Sequence, residues 1–256
     1  MLVRDLVGAL EEIAPRRHAE KWDNVGLLVG DLEQPVTRVL LAIDYTRAVA
    51  HEARRRGCEA VVAYHPPIFD GLKRVLAGTE VFEAVRLGIA LYSPHTALDV
   101  AEGGTNDVLA DILGLSERGP LRAAAAPGMP GMGRVGGLPA VPRSELLARI
   151  KRGLGVAHVL VAGPTEGAVS KAACCAGACG EIVDEAIAQG CGLYLTGELR
   201  HHDALKAARA GMTVVCVLHS NSERATLRVL VKRLEERLPG VSFLLSEEDR
   251  DPFSVV

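Results

Sequence analysis

No apolar run in this 256-residue chain approaches the 20 or so residues needed to span a bilayer, which excludes an integral membrane protein built of helices. The opening residues, Met1-Leu2-Val3-Arg4-Asp5, lack a basic stretch followed by an apolar core and a small-residue cleavage site, so the expected location is cytoplasmic. A strong excess of one charge is missing too. The net charge of −3 gives no electrostatic footprint for a dedicated nucleic-acid or membrane-surface binder. None of the six cysteines, Cys58, Cys174, Cys175, Cys179, Cys191 and Cys216, has Cys-x-x-Cys spacing, so a zinc ribbon and a thioredoxin-type redox motif drop out. They read as reduced thiols, mostly in the core. Cys174 and Cys175, adjacent on an expected strand, point to opposite faces, which argues against an ion shared with Cys179. Aromatics are scarce, and the single tryptophan, Trp22, reads as a core or interface anchor.

What is present is a regular alternation. An apolar-periodic helix over 2–13 stops at Pro15, and an Asp23-Asn24 turn leads into a short apolar run closed by Gly30. Strands over 39–43, 60–63 and 89–92 then alternate with helices over 47–56 and 80–87. After a helix over 108–113, which Thr105 or Asn106 caps or which seats an anion, comes an Ala, Gly, Pro and Met-rich stretch. The rhythm resumes with helices over 144–154, 182–189 and 224–238, a further helix that the segment 196–203 starts and that runs to 210, and strands over 157–162, 171–176, 193–195 and 213–218. Strands alternating with helices imply right-handed crossovers. The expected fold is therefore α/β: two α/β sandwich domains with largely parallel mixed sheets, divided as 1–126, a linker at 127–137, and 138–256. The last segment packs with the first domain in an alternative division.

Ligands in open α/β sheets bind outside the carboxyl ends of the strands, and here those ends carry ionisable side chains. The run Ala60-Val61-Val62-Ala63 ends at Tyr64-His65-Pro66-Pro67, which fixes an imidazole between a strand and two prolines. Pooling the strand ends collects His65, His95, Asp99, Glu198, His201, His202, His219 and Glu223. Imidazole with carboxylate is the donor set of zinc, manganese or iron(II). His219 and Glu223, four apart at a strand-to-helix junction, form the sharpest pair, although Ser220-x-x-Glu223 reads equally as a capping box. His65 in the same way serves as a loop hydrogen-bonder, and Asp99 as a turn residue, without any ligand.

These residues fall in an ordered series: Asp23-Asn24-Val25-Gly26-Leu27-Leu28-Val29-Gly30, Tyr64-His65-Pro66-Pro67-Ile68-Phe69, His95-Thr96-Ala97-Leu98-Asp99, Gly104-Thr105-Asn106-Asp107, Gly133-Arg134, Thr196-Gly197-Glu198 and His219-Ser220-Asn221-Ser222-Glu223. The series resembles the Nif-three-like family, whose members are often labelled GTP cyclohydrolase type-two homologs, and it covers nearly the whole chain. The resemblance implies two α/β domains, a toroidal homo-hexamer and a di-metal centre with ligands at His65, Asp99, His219 and Glu223. Tyr64 stands where many members have a further ligand histidine. A neutral phenol is a poorer donor than imidazole, so the expectation is one or two divalent ions (zinc, manganese or iron) per chain.

The function expected on this basis is metal-dependent hydrolysis of a nucleotide or another phosphate-bearing small molecule, with His95 or His202 relaying protons. The alternative is a non-enzymatic metal-binding hexamer that acts as a scaffold or interaction factor.

Overall fold

The computed structural model describes residues 1–124 and 127–255. Eleven strands occur among them. The first six are β1 (Gly26–Val29), β2 (Arg38–Ala42), β3 (Ala60–Ala63), β4 (Ala90–Ser93), β5 (Ser116–Gly119) and β6 (Arg134–Pro142). The others are β7 (Leu160–Ala162), β8 (Ala168–Cys175), β9 (Leu193–Thr196), β10 (Thr213–Cys216) and β11 (Ser242–Leu245). The helices of the first hundred residues are α1 (Val3–Ile13), α2 (Arg47–Arg55), α3 (Glu80–Leu87) and α4 (His95–Val100). Then come α5 (Thr105–Leu113), α6 (Arg143–Leu154), α7 (Val183–Ala188), α8 (His201–Arg209) and α9 (His219–Arg237). Among the described residues no helix is long and apolar enough to cross a membrane.

The chain divides into two compact units, 1–102 with 226–250, and 103–225 with 251–256. Each is an α/β layer structure around its own mixed sheet. The division differs from the expected one: residues 127–137 lie inside the second unit, and positions 125 and 126, where the first domain was expected to end, lie outside the described residues.

In the first unit the strand order is β1-β4-β3-β2-β11. β11, β2, β3 and β4 are parallel, and β1 closes the edge antiparallel to β4. The inner strands read as continuous apolar runs because both faces are covered. Alternate residues therefore separate into two cores. Val39, Leu41, Val62 and Tyr64 pack under α1 and the later turns of α9, whereas Leu40, Val61, Ala63 and Leu91 pack under α2 and α3. The tail is tied to the same sheet: Glu52, 2% exposed, accepts the backbone N–H groups of Glu247 and Glu248 and the hydroxyl of Ser246.

In the second unit the order is β5-β6-β8-β9-β10-β7. β8, β9 and β10 are parallel and the outer pairings antiparallel. α5 and α6 cover one face through Leu109, Leu113, Leu146 and Ile150, and α7 and α8 the other through Val183, Ala186 and Ala207. Cys174 falls in the first of these cores and Cys175 in the second, as neighbours on one strand must. Against the expectation of six reduced thiols, Cys175 is disulfide-bonded to Cys179. The other four are free, and burial pushes the Cys174 thiol up to about 12.

Candidate metal-ligand clusters

β3 delivers the first cluster, wholly within the first unit. Its register hands Tyr64 to the α1/α9 core, where the side chain is fully buried and its hydroxyl donates to Asp99 Oδ1. The next residue turns the opposite way. The His65 backbone N–H bonds to Ile43 O at 3.0 Å, and its Nδ1 lies 2.9 Å from Asp44 Oδ1, just past the end of β2. A carboxylate acceptor at Nδ1 fixes the tautomer and makes Nε2 the nitrogen whose lone pair can ligate a metal, an arrangement typical of metal-binding histidines.

His95 opens α4 with φ of 27°, in the left-handed region, one of three non-glycine residues there among those described. Its Nδ1 lies 2.8 Å from Asp23 Oδ1, and Asp23 Oδ2 accepts both the backbone N–H and the hydroxyl of Thr96. Burial alone would raise the Asp23 carboxyl, but these hydrogen bonds from His95 and Thr96 outweigh it and hold the group below its ordinary value. Asp23 is thus an anion that orients His95. Asp99 follows one turn later on α4, and the His65 and His95 rings stand edge to face with centroids 5.4 Å apart.

The second cluster lies at the carboxyl ends of β8, β9 and β10. Leu218, with φ of 72°, makes the sharp turn out of β10, and α9 then begins at His219. This start corrects the sequence expectation of a helix from 224. Because α9 begins earlier, His219 and Glu223 lie one full turn apart on one helix. Ser220 is a helical residue whose hydroxyl meets Asp251 Oδ2 at 2.7 Å, so the capping-box reading gains no support. His219 Nε2 is 3.3 Å from Glu223 Oε1, and His219 Nδ1 is 3.2 Å from Glu198 Oε1. The Glu223 side chain is 3% exposed, and a carboxylate so buried is maintained only by cationic, hydrogen-bonding or metal partners.

Gly177, after β8, supplies the floor of this cluster. Its φ is +71°, and a Cβ placed there would come within 3.2 Å of Glu223 Oε1 and 3.4 Å of His219 Nε2. Ser222 clamps it in place, accepting the Gly177 N–H at 2.8 Å and bonding to His219 O at 2.6 Å. Gly197, after β9, is equally constrained, since a Cβ would meet Gly177 O at 2.6 Å. Glycine at both strand ends lets backbone close in around an imidazole and a carboxylate.

Of the residues expected at the site, His65, Asp99 and His95 gather in the first unit, and His219 and Glu223 in the second. His202 sits exposed in the first turn of α8, its ring against His201 at 5.4 Å. The N-cap of α5 is Gly104, so neither Thr105 nor Asn106 caps the helix, and the Asn106 side chain accepts the Ala176 N–H at 2.9 Å instead. Asp44, Asp23 and Gly177 were not expected at the metal site from the sequence, where Asp23 reads as a turn residue; each lies at a strand end or turn. Next to Glu198 opens a cleft of about 490 Å³ whose charged lining is Glu181, Glu198, Asp203 and Arg200.

The donor chemistry of both clusters suits a hard or borderline divalent cation: imidazoles oriented by carboxylates, together with buried carboxylate oxygens. The model of the family described as Duf34/NIF3 (NGG1p interacting factor 3) matches residues 1–252. A Clostridium perfringens protein named GTP cyclohydrolase 1 type 2 homolog is 32% identical over 262 residues, covering all of both chains. The Saccharomyces cerevisiae NGG1-interacting factor 3 is 34% identical, covering 98% of this chain and 96% of the relative. A Bacillus cereus protein related to NIF3 shares the fold with a TM-score of 0.91 at 23% identity, over 100% of this chain and 99% of its own. With the family model matching residues 1–252 and relatives of 32% and 34% identity matched over nearly their whole length, the chain belongs to the DUF34/NIF3 family.

Proposed function

We propose that this protein is a metal-dependent hydrolase of a nucleotide or another phosphate-bearing small molecule, with the metal held by His65, Asp99, His219 and Glu223. The observation that carries the reading is the pairing of His219 with the buried Glu223 one helical turn away, over a glycine whose missing Cβ keeps the space open. His65, His219 and Glu223 each offer a ligand atom, and Asp44 orients the His65 ring as a second-layer partner should. Tyr64 holds Asp99 by its hydroxyl and adds no imidazole, which favours a single ion per chain over two.

When bound, a divalent cation lowers the pKa of a coordinated water and so supplies hydroxide near neutral pH. The chain's own residues do the rest. His95, with Nδ1–H engaged by Asp23, presents Nε2 as an acceptor able to take a proton and return it to a leaving group. Glu198 holds His219 from the other ring nitrogen. His202, exposed on α8, is the second candidate for proton relay.

Hydrolysis tests the reading directly. Protein purified without chelator should convert at least one member of a purine nucleotide panel, read by chromatography of the products. His219→Ala should abolish that turnover with its circular dichroism unchanged. Turnover that survives His219→Ala would refute the assignment.

A second reading is a metal-binding homohexamer that acts as a scaffold, supported by the interacting-factor name of the yeast relative. On that reading sedimentation gives a hexamer, and partner binding survives His219→Ala.

A further inference from the structure

Trp22, expected as a core or interface anchor, lies outside the core of the first unit: it is 58% exposed, and Phe69 beside it is 50% exposed. The two rings lie 5.8 Å apart and tilted by 37°, and Trp22 also meets His95 edge-on at 6.0 Å. All three belong to the first unit, and the loops that carry them are pinned. Asn24 Nδ2 donates to Ile68 O at 2.7 Å, joining the segment next to Trp22 to the segment next to Phe69. Asp23, between Trp22 and Asn24, is the buried carboxylate that holds His95 and Thr96. Thr96 Oγ1 in turn accepts the Glu20 N–H at 3.0 Å. Large apolar rings left in water cost free energy, and rings held rigidly in water lose little further entropy when a ligand covers them.

We infer that Trp22 and Phe69 bind the flat heteroaromatic ring of this protein's small-molecule ligand, with His95 as the polar group at the ring's edge. The inference deepens the small-molecule reading above and rests on it. Aromatic side chains accept any base-like ring on their π-faces, whereas hydrogen bonds at the ring edge select among rings. Asp23 sets that selection. With Nδ1 held by Asp23, His95 has Nε2 for the edge of the ring, so a ring that carries nitrogen or an exocyclic amine at its edge is the match, and a plain hydrocarbon ring is not. Leu72, Val75 and Leu76 are also exposed on the Phe69 loop, so a second copy of the chain seated there would cover them together with the two rings.

Because Trp22 is the only tryptophan, its fluorescence reports on this site alone. The wild-type protein, metal-loaded and after chelation, is titrated with adenosine, guanosine and nicotinamide riboside, and with ribose 5-phosphate as a ring-free control. The expected result is a saturable change with at least one ring compound, none with ribose 5-phosphate, and an affinity about tenfold weaker in Phe69→Ala. Phe69 is half in water, so that variant retains its fold. No saturable change with any ring overturns the inference, as does an unchanged affinity in Phe69→Ala. A blue shift that grows with protein concentration in the absence of ligand also overturns it, in favour of a second copy covering the rings. Failure of the metal reading would show separately, as protein without bound ion by elemental analysis.

Discussion

Replacing Gly177 by alanine separates backbone strain from intrusion into the metal-ligand cluster, because the fold contains a matched control. Gly177 and Gly190 have the same φ of +71°, but a Cβ at Gly190 meets nothing within 4 Å. Each alanine therefore incurs the left-handed penalty of about 1–2 kcal/mol. Only Gly177→Ala adds a methyl group at 3.2 Å from Glu223 Oε1 and 3.4 Å from His219 Nε2. Neither neighbour gives way easily, since Glu223 is buried on α9 and His219 is engaged by Glu198. Moving His219 or Glu223 by a few tenths of an ångström degrades coordination, so zinc affinity should fall at least tenfold, about 1.4 kcal/mol. The assays are urea unfolding of the apo-proteins and zinc titration by calorimetry. Gly190→Ala should lose stability and keep full zinc affinity, while Gly177→Ala loses both. Equal zinc affinity in the two variants would refute the role given to the Gly177 floor.

Asp44→Asn removes the charged partner of His65 Nδ1 without removing bulk. Zinc affinity should drop by about 10- to 100-fold with an unchanged unfolding midpoint, since Asp44 is part-exposed, and calorimetry beside a melting curve checks both. Asp23 makes a prediction about pH. Its folded pKa lies below the unfolded value, so its contribution to stability is present above the unfolded carboxylate range and is lost as pH falls through the folded pKa. Asp23→Asn should therefore be less stable than wild type at pH 7, with the gap narrowing as the pH falls below about 4, measured by urea unfolding across pH 2.5–7. A gap that is constant over that range would show that the carboxylate charge contributes nothing.

How far the residues alone disclosed the structure differs between elements. β3 and α3 were readable to the residue, because an apolar run between a glutamate and a proline, and an apolar-periodic stretch closed by Gly88 in the left-handed cap, leave few alternatives. β6 was not. Its Gly136-Gly137 and two prolines imitate a linker, and only pairing with β5 and β8 makes it a strand. The start of α9 was misplaced because His219 reads as the polar end of a strand, and local signals do not announce the left-handed Leu218 that turns the chain.

The site residues were legible as types at strand ends, and their orienting partners were not. His65 and His219 stood out as imidazoles beyond apolar runs. Asp44 and Asp23, by contrast, are 21 and 72 residues from the histidines they hold, a relation that only the folded chain makes visible. Trp22 shows the limit of composition: a lone tryptophan reads as a core or an interface anchor, and only the fold places its ring outside the core of the first unit, on a loop pinned by Asn24.

The most direct test of the central claim is the metal content per chain, by elemental analysis of protein purified without chelator or added metal, in wild type, Tyr64→His and His219→Ala. Wild type should carry about one ion, Tyr64→His should rise towards two, and His219→Ala should lose the ion with the fold retained. Wild-type protein that carries no metal, and takes up none on dialysis against zinc, manganese or iron(II), would contradict the claim.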